Sequence, residues 1–449
     1  MKMSLERIAE NSRSFASAGV REDAAQTVLG SDLHDAQLGA IMTTRGPAAI
    51  PAPQPEVSTI TSISMGTVPN VGAGRFYYPE LDAIRFFLFC AVWSYHILPR
   101  DQNLYTARHI PNVLASLITG AIKAGMCSLD VFFIVSAFLI TELLLREREL
   151  RGLADLKAFY IRRLLRIWPL YFFMIVIAAL LSLIDRSQPL GWTYALSFLV
   201  FAGNWIMVRR GFPQASIIGP LWSVSFEEQF YLLWPLVLQR ASKRSICKIA
   251  VGLLATASLA RLILLLHHEG GDPIWYNSFA RLDSISCGIL LAVILHGHTA
   301  PHIGLAARVA LLLVGGFAWI VVSHYCGLLD NTPKLLGGMI GYPLMSLGGV
   351  AVFLAVLGAA QDGASIMKYS AFVYLGKISY GLYAYHILGL RLSNYLFSAY
   401  HPVHGWTLSW LVALAITFFL AAASFHWLES PFLRLKRTKF THVPSGAAS

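Results

Sequence analysis

The stretch LLRIWPLYFFMIVIAALLSLI, Leu164 to Ile184, carries a single charge, Arg166, in an otherwise apolar run. Wound as a helix at 1.5 Å per residue, it is long enough to cross a hydrocarbon core roughly 30 Å thick. WTLSWLVALAITFFLAAASF, Trp406 to Phe425, reads the same way. A helix satisfies its own backbone polar groups, so in lipid it is the natural reading of such runs. The rest of the chain agrees. Its 449 residues are 56% hydrophobic and 13% charged, with a mean hydropathy of +0.59. Soluble domains carry about twice that charged fraction. The sequence therefore predicts an all-α, polytopic transmembrane helical bundle.

The net charge of +11 does not point to nucleic acid, because the Lys and Arg residues cluster in short loops between apolar blocks. That is the positive-inside bias of membrane insertion. The five cysteines, Cys90, Cys127, Cys247, Cys287 and Cys326, lie in or beside apolar runs. They lack the paired spacings of a disulfide framework or a zinc site, so they read as small packing residues and no metal is expected. Residues 1–75 are rich in Ala, Ser, Thr, Gly and Pro and read as a disordered cytoplasmic segment, with no basic start and apolar run of a signal peptide. A transmembrane domain is expected over 76–434 and a cytoplasmic tail over 435–449, with no internal repeat and no further soluble domain.

Crossing helices are expected near 81–99, 126–145, 164–184, 220–239, 249–267, 278–296, 307–326, 337–360, 372–396 and 406–426, about ten in all. Placing the basic run from Arg146 to Arg163 in the cytoplasm puts Arg240, Lys243, Arg244 and Lys248 inside. Arg434, Lys436, Arg437 and Lys439 follow, and both termini are then cytoplasmic. The apolar stretch Trp192 to Val208 does not fit that parity. It is expected to be re-entrant, entering the bilayer without traversing it, which is tolerated only where protein or water covers the backbone. Arg209 and Arg210 are then left outside, against the trend.

Ionisable residues inside membrane segments are costly and suggest function. Arg85 and His96 are eleven residues apart in the first expected span, about three turns, on one helix face and roughly 16 Å apart along the axis. A cation near the cytoplasmic mouth and an imidazole beyond it suit a long donor with an anionic head and a reactive tail. Alternatively, Arg85 marks the membrane boundary and His96 bonds a neighbouring carbonyl. Arg162, Arg163 and Arg166 stand three and four residues apart, so their guanidiniums converge at a cytoplasmic helix start, where they suit bidentate phosphate binding or simply signal topology. Glu227 and Glu228 point about 100° apart on a helix. At least one should face an interior polar site, pairing an arginine or binding an acceptor. Asp130, Arg281 with Asp283, His386 and Glu429 are further buried polar candidates, for which intramembrane salt bridges or structural roles are the simpler reading.

Seven segments in order resemble the acyltransferase-3 family of membrane acyltransferases, which includes bacterial O-antigen and exopolysaccharide O-acetylases. They are Leu81-Asp82-Ala83-Ile84-Arg85 with Tyr95-His96; Ser128 to Ser136 (SLDVFFIVS); Phe159 to Tyr171 (FYIRRLLRIWPLY); Leu221 to Pro235; Arg281-Leu282-Asp283; Ile378 to His386 (ISYGLYAYH); and Leu428 to Phe432 (LESPF). The resemblance runs from Glu80 to Arg434. One departure is Ala137, where the family usually has Gly after the serine. Another is the absence after the last span of the esterase-like domain that many bacterial relatives carry, which would leave the transmembrane unit to finish the transfer alone or with another protein.

The resemblance implies an Arg-x10-His element, matched by Arg85 and His96, an Arg-x-x-Arg element, matched by Arg163 and Arg166, and a cytoplasmic acyl-CoA donor. It also implies residence in a bacterial inner membrane. The expected activity is transfer of an acyl group, acetyl first, from acyl-CoA to a hydroxyl of a carbohydrate or glycolipid acceptor. Arg162, Arg163 and Arg166 would hold the donor's phosphates and Arg85 would line its path. His96, with an ordinary imidazole pKa of about 6.5, would act as general base, and Glu227 or Glu228 would orient the acceptor. Direct transfer and an acyl-His96 intermediate both stay open, as do succinyl or longer acyl groups and a small hydroxylated acceptor. The competing classes are a secondary transporter of a glycolipid or acyl carrier and a non-catalytic scaffold. The enzyme reading requires one continuous channel from the arginine mouth to His96.

Overall fold

The computed structural model describes residues 77–184, 190–213, 216–269, 271–298, 301–328, 333–361, 365–398 and 405–440. The expected disorder of residues 1–75 and most of the expected tail lie outside them. Among the described residues every regular element is helical. The helices used below are α1 (Pro79–Ile97), α2 (Asn112–Ala124), α3 (Ser128–Arg151), α4 (Leu156–Ile184), α5 (Trp192–Leu199) and α6 (Gly203–Arg210). They continue as α7 (Trp222–Arg240), α8 (Lys243–Leu266), α9 (Leu282–Leu295), α10 (Leu305–Tyr325) and α11 (Leu335–Val356). The last four are α12 (Ser370–Lys377), α13 (Ser379–Ser398), α14 (Gly405–Ser424) and α15 (Ser430–Phe440).

A helix covers each of the ten expected positions, yet only six helical stretches of the described chain are long and apolar enough to cross a membrane. These are Asn112–Arg151, Leu156–Ile184, Lys243–Leu266, Leu305–Tyr325, Leu335–Gln361 and Leu408–Leu435. The expected count of ten is not reached on that measure, for physical reasons visible in each remaining helix. α1 carries Glu80, Asp82 and Arg85, and α7 carries Glu227, Glu228 and Arg240. α9 has 14 residues, about 21 Å at the helical rise. The expected span 372–396 is broken at Ile378, between α12 and α13.

The stretch 192–208 forms two helices of 8 residues each, α5 and α6. Each is about 12 Å long, too short to cross alone. The turn between them holds Phe201 at φ 55°, a left-handed conformation uncommon for a bulky side chain. At the other end of the chain, α14 runs into a π-helical turn, Phe425–Glu429, and then α15. Helix therefore continues to Phe440, past the expected domain boundary at 434.

Two buried ion pairs hold the membrane core. Arg281 Nη2 lies 2.6 Å from Asp130 Oδ1, and the other Asp130 oxygen accepts from Ser346 at 2.9 Å. Arg261 pairs with Asp283. Asp130, Arg281 and Asp283 all form intramembrane salt bridges as expected, but Arg281 pairs with Asp130 rather than with Asp283, whose partner is Arg261. Removing one member of such a pair costs about 3–5 kcal/mol, because the other charge is left buried alone. Around them α9 packs on α3 and α8, α10 on α11, and α13 on α14, while α1 sits against α3, α12 and α13.

Candidate active site

α1, α3, α4, α7, α12 and α13 together enclose a cavity of about 270 Å³. Its wall is built from helix faces that the sequence makes polar at helical spacing. α1 contributes Asp82 and Arg85, which pair at 2.6 Å across one turn. α4 contributes Arg162, Arg163 and Arg166. Pro169 within α4 cannot donate to the carbonyl four residues back, and next to it Tyr380 Oη of α13 donates to the Ile167 carbonyl at 3.2 Å. Lys377 joins from the break between α12 and α13. The wall thus holds five cationic side chains, Arg85, Arg162, Arg163, Arg166 and Lys377, against two carboxylates, Asp82 and Glu227.

Each arginine is held in its own way. Arg162 Nη2 lies 3.2 Å from Glu147 Oε2 of α3, so part of its charge is already matched. The Arg163 guanidinium sits 5.3 Å from the centre of the Tyr231 ring and 5.7 Å from that of Phe159. The two rings flank the guanidinium, and among the described residues no carboxylate is in ion-pair contact with it. Glu429, brought in by the π-helical turn, accepts from Ser424 Oγ at 3.3 Å and faces the charge of Arg166.

The two adjacent glutamates part as helical geometry requires. Glu227 faces the cavity, accepting from Tyr231 Oη at 2.6 Å and from Ser136 Oγ at 3.3 Å. Glu228 turns away to accept from Trp168 Nε1 at 3.2 Å. Asp130, bound to Arg281, is not among the lining residues either. Tyr231, Ser136, Lys377 and Tyr383 line the cavity without having been singled out from the sequence. The place of Tyr231 was readable, since it stands four residues after Glu227 on the same face. Lys377 gave no such signal, because the helix break that aims it inward has no proline to announce it.

Arg85 lines the cavity, but His96, three turns further along α1, does not. Ser223 and Tyr383 are among the lining residues. Ser223 Oγ donates to Tyr383 Oη at 3.0 Å, and Tyr383 Oη reaches the Pro220 carbonyl at 3.0 Å. Next on that face of α13 comes His386, whose ring lies 5.5 Å from that of Tyr383 and 4.9 Å from that of His96. The continuous channel expected from arginines to imidazole is not observed, since the cavity takes in Ser223 and Tyr383 but not His96. His386 thus stands between a cavity-lining residue, Tyr383, and His96.

The helical bundle thus presents a cavity with more cationic than anionic side chains, which suits an anionic ligand. Comparison with known proteins makes the class specific. The profile of the acyltransferase-3 family, described as an acyltransferase domain, matches residues 78–426, and the chain belongs to that family of acyltransferases. It is similar to the peptidoglycan O-acetyltransferase OatA of Listeria monocytogenes, at 25% identity over 375 residues, 80% of this chain and 56% of the relative. It is also similar to the O-acetyltransferase OatA of Staphylococcus aureus, at 25% identity over 389 residues, 82% of this chain and 59% of the relative. The chain thus spans somewhat over half the length of these relatives. No solved structure matches it.

Proposed function

We propose that the protein transfers an acyl group, acetyl first, from a coenzyme A thioester to a hydroxyl of a carbohydrate acceptor such as a surface polysaccharide. The observation that carries the donor is the excess of guanidinium and ammonium groups over carboxylates in the cavity wall. Phosphates are the anions that guanidinium forks bind best, and coenzyme A offers several on one long molecule. The acceptor class rests on the names of the two relatives, both O-acetyltransferases and one acting on peptidoglycan.

In this reading Arg163 and Arg166, with Arg162 and Lys377, hold the donor's phosphates, and the thioester arm runs past Arg85 toward Tyr383. Donor binding opens the Ser223–Tyr383 contact, so the carbonyl meets the acceptor at the histidine side. His96 removes the proton of the attacking hydroxyl. The alkoxide adds to the thioester carbonyl, the tetrahedral adduct expels the thiolate, and the thiolate takes the proton back from His96. Glu227 serves the cavity side and Asp130 serves the fold. We further read the chain as lying in a bacterial cytoplasmic membrane with both termini cytoplasmic, about ten crossings, and the α5–α6 stretch re-entrant between them.

The test uses the purified full chain in lipid nanodiscs with radiolabelled acetyl-CoA and soluble cell-wall glycan fragments. Label should appear as an alkali-labile ester on the glycan, and His96→Ala should retain donor binding while losing transfer by about 100-fold or more. Near-normal turnover in that variant removes His96 as the base. Rapid quenching separates the routes, since label trapped on the protein means an acyl-enzyme and its absence means direct transfer.

A further inference from the structure

His386 is fully buried on α13, and its ring faces that of His96 on α1 with centroids 4.9 Å apart and planes tilted by 49°. Its Nδ1 lies 2.5 Å from the carbonyl oxygen of Tyr383 in the preceding turn. A carbonyl only accepts, so Nδ1 carries the hydrogen and the neutral ring keeps its lone pair on Nε2. That Nε2 is buried and has no hydrogen-bond partner. An unmade acceptor of this kind costs about 1–3 kcal/mol. Its surroundings offer it little else. The Tyr383 hydroxyl is occupied by Ser223 and the Pro220 carbonyl. Arg100, whose charge bears on His96, lies 4.3 Å from the centre of the Tyr95 ring. The Tyr95 ring itself lies 5.3 Å from that of His96, and among the described residues no carboxylate acts on either histidine.

We infer that His386 is a positioning residue for His96: its Nε2 accepts a hydrogen bond from one nitrogen of the His96 ring, leaving the other His96 nitrogen as the proton acceptor in acyl transfer. With the ring centres 4.9 Å apart, nitrogens turned toward one another would fall within hydrogen-bond range, and χ2 of histidine is a soft torsion, so rotation of the His96 ring can present a nitrogen to Nε2. A base needs a third group to fix its tautomer, and here an imidazole locked by its own helix fills the place a carboxylate takes elsewhere. When His96 takes the acceptor proton, the imidazolium keeps its donor bond to His386. When it returns that proton to the departing thiolate, the pair is back in its starting form. No other reactant is needed. The inference rests on His96 being the base.

Three variants in nanodiscs, His386→Gln, His386→Phe and His96→Ala, are assayed with acetyl-CoA and soluble cell-wall glycan fragments, per folded protein measured by size exclusion. The amide oxygen of Gln can accept where Nε2 does, and Phe cannot. His386→Gln is expected to lose no more than about tenfold in kcat and His386→Phe about 100-fold, with KM for acetyl-CoA unchanged in both. The acid limb of the kcat profile should move in His386→Phe. Carbethoxylation of His96 by diethyl pyrocarbonate should slow in the same variant, a readout independent of turnover. Phe tolerated as well as Gln, with the pH profile and the modification rate unmoved, overturns the inference and leaves His386 a packing residue. Should His96→Ala stay active, the base assignment fails instead. An inactive His96→Ala beside a tolerated His386→Phe sinks the positioning role alone.

Discussion

The Arg163 guanidinium is oriented by two aromatic rings rather than by a carboxylate. Its value to a donor therefore lies in the direction of its fork as much as in its charge. Arg163→Lys keeps the charge and loses the fork. It should raise KM for acetyl-CoA about tenfold, equivalent to about 1.4 kcal/mol, with kcat nearly unchanged. Steady-state kinetics at fixed acceptor check this, and an unchanged KM would remove Arg163 from the donor site. At this scale much of the site was legible. The spacing of Arg162, Arg163 and Arg166 puts them on one wall, and the pair Glu227 and Glu228 splits between cavity and Trp168. Which glutamate looks inward was not legible, because periodicity gives the angle between side chains and not its zero. The sequence also could not tell that Asp130 answers Arg281, 151 positions away.

At the scale of helices, the apolar pattern sorts the chain in a useful way. α1 and α7 bring Arg85, His96 and Glu227, and α13 brings Tyr383 and His386, yet none of the three is in the set apolar enough to cross on composition. The charges and hydroxyls that make a site are the residues that spoil a hydropathy signal. This is why the helix positions could be read and the number of crossings could not. Close packing supplies the rest. A Cβ at Gly376 of α12 would fall 1.7 Å from the backbone oxygen of Asp82 in α1. The contact brings the two helices together one turn before Arg85 and can only be made by glycine. Gly376→Val should therefore force the helices apart at a cost of about 1–3 kcal/mol. A fall of several degrees in detergent melting temperature, with weakened acetyl-CoA binding, is the expected outcome. Unchanged melting would show that α12 moves freely against α1.

For the molecule as a whole, the assignment of inside and outside rests on loop charge, and it is testable directly. In a background with the five cysteines replaced by Ala or Ser, Leu150→Cys at the end of α3 should resist a membrane-impermeant maleimide in intact cells. Asn103→Cys, in the short helix after α1, should react. Reaction at position 150 in intact cells would invert the assignment and with it the side from which the arginine chamber is filled. Both positions are surface-exposed, so a lack of labelling there cannot be put down to burial.

The contact between Ser223 and Tyr383 carries an obligation of its own. A passage wetted from both sides at once would let protons and small ions drain along it, discharging the membrane that hosts the protein. If the donor arm is to reach the histidines, these two hydroxyls, 3.0 Å apart, must part, and their rejoining after each turnover would shut that route again.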